Sequence, residues 1–190
     1  APIDEVTVAL VGHHALEKCA FDGSPEAVPY FLRVEHNGRD VTKEVKAAEL
    51  LMKPFSLPEG PPTHFLTAGS AVRLITALGS DRSVRLHAPG PNGLPGGYPV
   101  LASRSGVTVP EIDGLSLSGA IHINEQSHKF DGIERIEKDG SVVFTENVVT
   151  TARDELGFNC SRLEPHEVET RAQELLSKFQ AYAKEFGMVF

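Results

Sequence analysis

The sequence YFLRVEHNGRDVT, residues 30–42, decides the fold class. Tyr30, Leu32 and Val34 share one face and alternate with residues of the other face, as in a half-buried strand. The dipeptide Asn37-Gly38 follows, and it favours a type I′ turn because both positions accept positive φ. A short return strand over 40–42 completes an antiparallel hairpin. A purely parallel doubly wound sheet is therefore not expected, since hairpins cannot join parallel neighbours.

The elements outward from this hairpin predict a mixed α/β (α+β) fold in one domain, residues 1–190. A buried strand is expected over 6–11, a second hairpin about Asp139-Gly140, and short strands over 84–87, 100–103 and 107–109. Helices are expected over 43–52 with Thr42 as N-cap, 70–78 with Ser70 as N-cap, 116–130 and 147–156. We expect a mixed sheet with antiparallel hairpins and helices packed on it.

The C-terminal helix has the clearest pattern in the chain. Val168, Leu175 and Phe179 belong to an apolar stripe at helical spacing, Pro165 suits the first turn, and Gly187 suits the end. A long amphipathic helix of this kind packs on a sheet of its own chain or on a partner subunit. A homo-oligomer formed through this helix is therefore one alternative.

Composition and charge narrow the class of protein. The net charge of −8 argues against a nucleic-acid partner, because phosphate binding needs a basic surface. No stretch approaches the roughly 20 apolar residues of a membrane span, and no signal peptide is visible, so no membrane partner is expected. Two distant cysteines, Cys19 and Cys160, are typical of reduced thiols in a cytoplasmic protein. The initial Ala1 is compatible with loss of an initiator Met or with a longer protein.

Residues 88–99, APGPNGLPGGYP, form the most unusual segment. Prolines stiffen such a loop and glycines leave its backbone accessible, so it is a candidate wall for a small ligand. The N–H groups of Gly93, Gly96 and Gly97 are candidate anion donors, and Asn92 and Tyr98 add side-chain hydrogen bonds. The alternative is a rigid connection between strands. No P-loop or dinucleotide motif is present, so the cofactor is unknown.

Histidines flank this loop and the first strand. His87 precedes the loop and His14, beside His13, follows the first strand, where α/β proteins often place functional groups. Two adjacent histidines in extended chain should point to opposite sides. His87 and His14 are candidate acid–base groups, and Arg85 is a candidate partner for an anionic ligand.

The apolar face of the helix at 116–130 becomes polar towards its end, at Asn124, Glu125 and His128. Either the helix leaves the core there or its end lines a pocket, with Asn124 as a ligand contact and Glu125 and His128 as catalytic candidates. A metal on Glu125 and His128 is a weaker alternative, since no second Glu-x-x-His is present to complete a ligand set.

These candidates support two functional hypotheses. In the first, the domain binds a small, anionic metabolite on the Gly/Pro-rich loop, with a histidine beside it that is available for acid–base chemistry. It would then be an enzyme or the substrate half of a larger one. In the second, it is a non-catalytic oligomerisation or binding module.

Overall fold

The computed structural model describes residues 2–16, 28–52 and 61–188, with the side chains of residues 3 and 61–63 excepted. Two compact units divide the chain, Ala1–Ser127 and His128–Phe190, and each is described by itself. One domain over 1–190 stays a prediction. A proline-rich loop or hinge is expected from the sequence over 58–62; its residues 58–60, and Cys19, lie outside the described residues.

An antiparallel sheet forms the centre of the first unit. Its strand order is β3-β2-β1-β5-β4, and β6 pairs with the far half of β5. Every pairing in the described residues is antiparallel, which confirms the hairpins and the mixed α/β class. The strands are β1 (Val6–Gly12), β2 (Tyr30–His36), β3 (Arg39–Asp40), β4 (Val84–Pro89), β5 (Gly97–Ser103) and β6 (Gly106–Thr108).

The turn between β2 and β3 has the predicted backbone, but the helix after it does not start where expected. Asn37 and Gly38 have φ of 49° and 77°, as a type I′ turn requires. The Thr42 hydroxyl donates to Asp40 Oδ1 at 2.6 Å and accepts from Val34 N–H at 2.9 Å. It therefore closes the hairpin and caps no helix. Helix α1 is confined to Ala47–Leu51.

The second helix, α2 (Pro61–Leu78), begins nine residues before the predicted start. Ser70 lies in its interior, so the prediction of Ser70 as an N-cap was wrong. The prolines of this segment predicted a loop. Proline is also tolerated in the first turn of a helix, which explains why the helix can begin at Pro61. Leu74 packs against the core, whereas Ile75 on the neighbouring face is 68% exposed.

Helix α3 (Leu117–Ser127) packs on β1 and β2. Its Ala120 contributes to the core cluster that contains Val11, Tyr98 and Val100. A second cluster of Ala15, Leu16 and Val28 packs against Leu10 and Tyr30 with the end of α1. The sheet therefore carries apolar packing on both faces.

The second unit contains a three-stranded antiparallel sheet of order β7-β8-β9 and two helices. The hairpin about Asp139-Gly140 is confirmed, and so is the helix end at Gly157, where φ is 65°. Within the described ranges, no helix is both long and apolar enough to cross a membrane. The elements are β7 (Ile133–Ile136), β8 (Val142–Phe144), α4 (Glu146–Leu156), β9 (Arg162–Leu163) and α5 (Val168–Glu185), the last preceded by a 3-10 turn, Pro165–Glu167.

Candidate functional site

The Gly/Pro-rich segment is more regular than its composition suggests. Strand β4 extends through Pro89, a 3-10 turn occupies Pro91–Gly93, and β5 begins at Gly97. Proline is compatible with a strand wherever its missing N–H is not needed by the ladder. Only the short connection from residue 90 to residue 96 is therefore left between β4 and β5.

Hydrogen bonds brace this connection from within. Gly90 N–H donates to Gly96 O at 2.7 Å, and Gly93 N–H donates to Gly90 O at 3.2 Å. The Asn92 side-chain amide donates to Val107 O at 2.9 Å, which ties the connection to β6. The Gly93 N–H and the Asn92 amide were both candidate ligand contacts. In this structure both form hydrogen bonds within the protein that stabilise the connection between β4 and β5.

Asn124 and Gly96, predicted site residues 28 positions apart in the chain, are packed against each other. Asn124 is fully buried on α3, and its amide Nδ2 donates to Gly97 O at 3.4 Å. Gly96 has φ of 73°, and a Cβ at Gly96 would overlap Asn124 Cγ and Oδ1. Asn124, at the polar end of the α3 stripe, therefore stays in the core, where it links the helix to the start of β5.

Tyr98 is also fully buried, beside this clamp. Its hydroxyl and Asn124 Oδ1 have no hydrogen-bond partner among the described residues. Burial is the main cause that raises the pKa of Tyr98. The nearby Asn124 amide lowers this pKa without forming a normal hydrogen bond, and the negative charge of Glu125 raises it further. Glu125 itself is exposed on α3.

Strands β1 and β5 meet at one point, and the reason is a proline. Gly12 pairs with Gly97, and an antiparallel ladder continued from there would place Leu10 opposite Pro99. Proline has no N–H to donate, so the ladder stops after a single pair. With the ladder ended, the Leu10 N–H finds its acceptor on a side chain and not on a β5 carbonyl.

His87 supplies that acceptor. It is the β4 partner of Pro99, and its imidazole spans β5 so that Nε2 accepts from Leu10 N–H at 3.2 Å. An amide N–H can only donate, so the neutral ring carries its proton on Nδ1. His87 is an exposed residue of β4, but partial loss of hydration of its ring is the main cause that lowers the pKa of His87 below its usual value, and the charge of Arg85 lowers it further. The neutral, Nδ1-protonated tautomer is thus the form that this site favours.

A cavity of about 230 Å³ lies at this junction, and we call it the His87 pocket. Sequence reasoning identified three of its lining residues, but it missed the four others. The pairing of Gly12 with Gly97 joins positions 85 residues apart, and no local pattern announces it. Pro99, predicted as the last residue of the loop before the strand at 100–103, lies within β5, and a proline at that place was the available signal that a ladder would stop there. The pocket is lined by Leu10, Gly12, His87, Ala88, Pro89, Gly97 and Tyr98.

The other predicted site residues lie elsewhere. His13 and His14 stack with ring centroids 4.4 Å apart, and His13 Nδ1 accepts from Ala15 N–H at 3.3 Å. The expectation that they point to opposite sides was wrong, because the chain turns directly after β1. Arg85 is exposed on β4, and the buried His128 begins the second unit.

The chain matches no protein-family model, no curated protein and no solved structure. Its function must therefore be inferred from the chemistry of the site.

Proposed function

We propose that the first unit binds a small anionic molecule in the His87 pocket. The observation that carries the proposal is the hydrogen bond from Leu10 N–H to His87 Nε2, because it fixes the ring and leaves the Nδ1–H as the donor for a ligand. A positioned donor in a concave, largely apolar pocket is the usual means of orienting a small ligand.

The size of the pocket limits the ligand. The pocket of 230 Å³ has the volume of about eight water molecules at roughly 30 Å³ each. A molecule of about ten non-hydrogen atoms fits that volume, whereas a nucleotide or a larger cofactor would extend from the open pocket into solvent. Small carboxylic acids and inorganic phosphate fit this limit.

The local charge favours an anion. Arg85 lies two residues before His87 on β4, and side chains two apart in a strand share a face. The positive charge of Arg85 also lowers the pKa of His87, which supports their placement on one side of the strand. None of the seven described lining residues is acidic, so a carboxylate or phosphate would meet no repulsion from the pocket wall.

The same hydrogen bond bears on catalysis. A general base must offer a lone pair to the substrate, but the His87 Nε2 lone pair is already occupied by Leu10 N–H. The Nδ1–H of a neutral ring is a good hydrogen-bond donor and a poor acid. The geometry therefore supports binding and orientation by His87 more strongly than proton transfer.

Ligand binding to the purified chain tests the proposal. We expect acetate, succinate or inorganic phosphate to raise the melting temperature by mass action and to shift NMR signals of residues 10, 12, 87 and 97. His87→Gln retains an acceptor for Leu10 N–H but moves the donor away from the Nδ1 position, so affinity should fall about tenfold or more. Arg85→Gln should weaken binding less and in a salt-dependent manner.

The matched control is His122→Gln, the same substitution at an exposed position of α3. It should leave affinity unchanged. Two results would show that the proposal is wrong. The first is that none of the three anions, at millimolar concentration, changes the melting temperature or the NMR signals. The second is that His122→Gln weakens binding as much as His87→Gln.

A further inference from the structure

Helix α2 is held to its unit near its C-terminal end. Of its described side chains, residues 64–78, those of Leu74 and Ala77 are the two that are not exposed. Leu74 packs against the core cluster of the first unit, whereas every side chain from 64 to 73 is exposed. The N-terminal half of the helix therefore gains little burial from the part of the chain that the structure describes.

This half is also a weak helix by itself. Gly69, Ser70 and Val72 are poor helix formers, and isolated helices of fewer than about 12 residues are marginal in water. Arg73 is the single residue of α2 with a permanent charge, so ion pairs between successive turns do not support the helix. Packing of an apolar face is the usual source of helix stability in proteins, and we expect a contact of that kind here.

Four residues define one face of α2, and we call them the α2 seam. Phe65, Ala68, Val72 and Ile75 are separated by three, four and three residues, which is the spacing of the contact line between two packed helices. Phe65 is 74% exposed, Val72 60% and Ile75 68%, and Ala68 is exposed as well. Leu74 projects from the other side of the helix. The seam thus faces away from the core of its own unit, as an interaction surface would.

Gly69 borders the seam one turn after Phe65. A Cβ at Gly69 would meet nothing within 4 Å, and the residue lies in regular helix without positive φ. Neither packing nor backbone conformation in the described chain therefore requires a glycine here. A glycine does allow a second backbone to approach closely, which favours a partner helix at the seam.

We propose that the α2 seam binds the α2 seam of a second copy of this chain, with the two helices antiparallel. Antiparallel pairing about the midpoint of the seam sets Phe65 against Ile75 and Ala68 against Val72. Parallel pairing would oppose each residue to itself, which leaves a void at Ala68 and crowds Phe65. Antiparallel pairing also keeps the two first units at opposite ends of the helix pair, because each is attached to its own α2 near Leu74.

The composition of α2 favours a second copy over a charged partner. The positions that flank the seam, 64, 69, 71, 76 and 78, hold no permanent charge. Arg73 lies outside both the seam and these positions, so no like charges meet when two copies pair. A partner recognised by its charge would find no ionic contact on this face, whereas a second copy presents the same apolar spacing.

The area available is compatible with a weak dimer. The seam residues and the positions beside them expose roughly 500 Å² per copy, so a pair would bury about 1000 Å² in total, near the lower limit for specific interfaces. We expect a Kd of roughly 10–100 μM.

Sedimentation of the full chain between about 5 and 500 μM tests the proposal. We expect a monomer–dimer equilibrium that Val72→Glu weakens at least tenfold, because the change would bury a charge in the seam. Glu is a better helix former than Val, so this change does not weaken α2 itself. Ser70→Glu is the matched control, since it adds the same charge at an exposed position on the opposite side of the same helix. The control should dimerise like the original chain.

Cysteine cross-linking tests the orientation. The chains Phe65→Cys and Ile75→Cys should form a disulfide between positions 65 and 75 when they are mixed and oxidised. Neither new cysteine should link to its own equivalent, because antiparallel pairing separates equivalent positions by roughly 15 Å along the helix axis, beyond the reach of a disulfide. Mass spectrometry of the linked peptides distinguishes these links from any that involve Cys19 or Cys160.

Three results would overturn the proposal: a monomer at all concentrations, an equal loss of dimer in Ser70→Glu, or self-linked Phe65→Cys. A monomer that binds phospholipid vesicles, and loses this binding in Val72→Glu, would assign the face to a membrane surface instead. A monomer whose melting temperature falls in Val72→Glu but not in Ser70→Glu would show that the face is covered within its own chain. This inference is independent of the His87 pocket.

Discussion

Substitution of Gly96 by alanine probes the contact that organises the candidate site. Gly96 has φ of 73°, and an alanine in the left-handed region costs about 1–2 kcal/mol. Its Cβ would also lie 2.8 Å from Asn124 Cβ and closer still to the amide. Asn124 is fully buried, so it cannot swing into solvent, and overpacking of this kind costs about 1–3 kcal/mol. We therefore expect Gly96→Ala to lower the free energy of unfolding by about 2–5 kcal/mol.

Gly93→Ala separates the two contributions. Gly93 has φ of 80°, and an added Cβ would meet nothing within 4 Å, so this variant should lose only the conformational part, about 1–2 kcal/mol. The double variant Gly96→Ala/Asn124→Ala should lose less than the sum of its single variants, because truncation of Asn124 removes the overlapping amide. Urea denaturation followed by circular dichroism measures all four proteins. Equal losses in Gly96→Ala and Gly93→Ala would refute the placement of Asn124 over Gly96.

Three further predictions follow from the same geometry, and urea denaturation tests each. The pKa of His87 is lowered in the folded chain, so below about pH 6.5 the unfolded state binds more protons than the folded state. The free energy of unfolding should therefore fall as the pH drops from 7 towards 5. It should fall less steeply in His87→Gln, which has no imidazole at this position. Tyr98→Phe should change stability by less than about 1 kcal/mol, because the hydroxyl has no partner among the described residues, whereas Tyr98→Ala should cost about 3–5 kcal/mol. Asn92→Gly retains the freedom for its φ of 54° but loses the bond to Val107 O; it should cost about 0.5–1.5 kcal/mol, and an unchanged stability would contradict the bracing role.

Local patterns determined the elements whose geometry depends on near neighbours in the chain. The turn at Asn37-Gly38 and the helix end at Gly157 were predictable because both need positive φ, and the residue types present accept it. Strand β2 and helix α5 were predictable from a second local signal, the spacing of their apolar residues. A period of two residues indicates a strand, and a period of three to four indicates a helix. The start of α2 was not predictable in this way, because prolines suit both a loop and the first turn of a helix.

The tertiary structure alone decided what each element packs against. His87 and Leu10 are 77 residues apart, and their hydrogen bond depends on how three strands lie side by side, because the β1–β5 ladder ends at Gly12 and leaves the Leu10 N–H outside it. Asn124 was a candidate from its position on a polar stripe, but its contact with Gly96 depends on where α3 crosses β5. In α5 the spacing indicated an apolar stripe, and only the structure showed that its residues differ in burial, from Ala183 at 1% exposed to Phe186 at 63%. Sequence periodicity defines faces, whereas contacts between distant segments determine which face is buried.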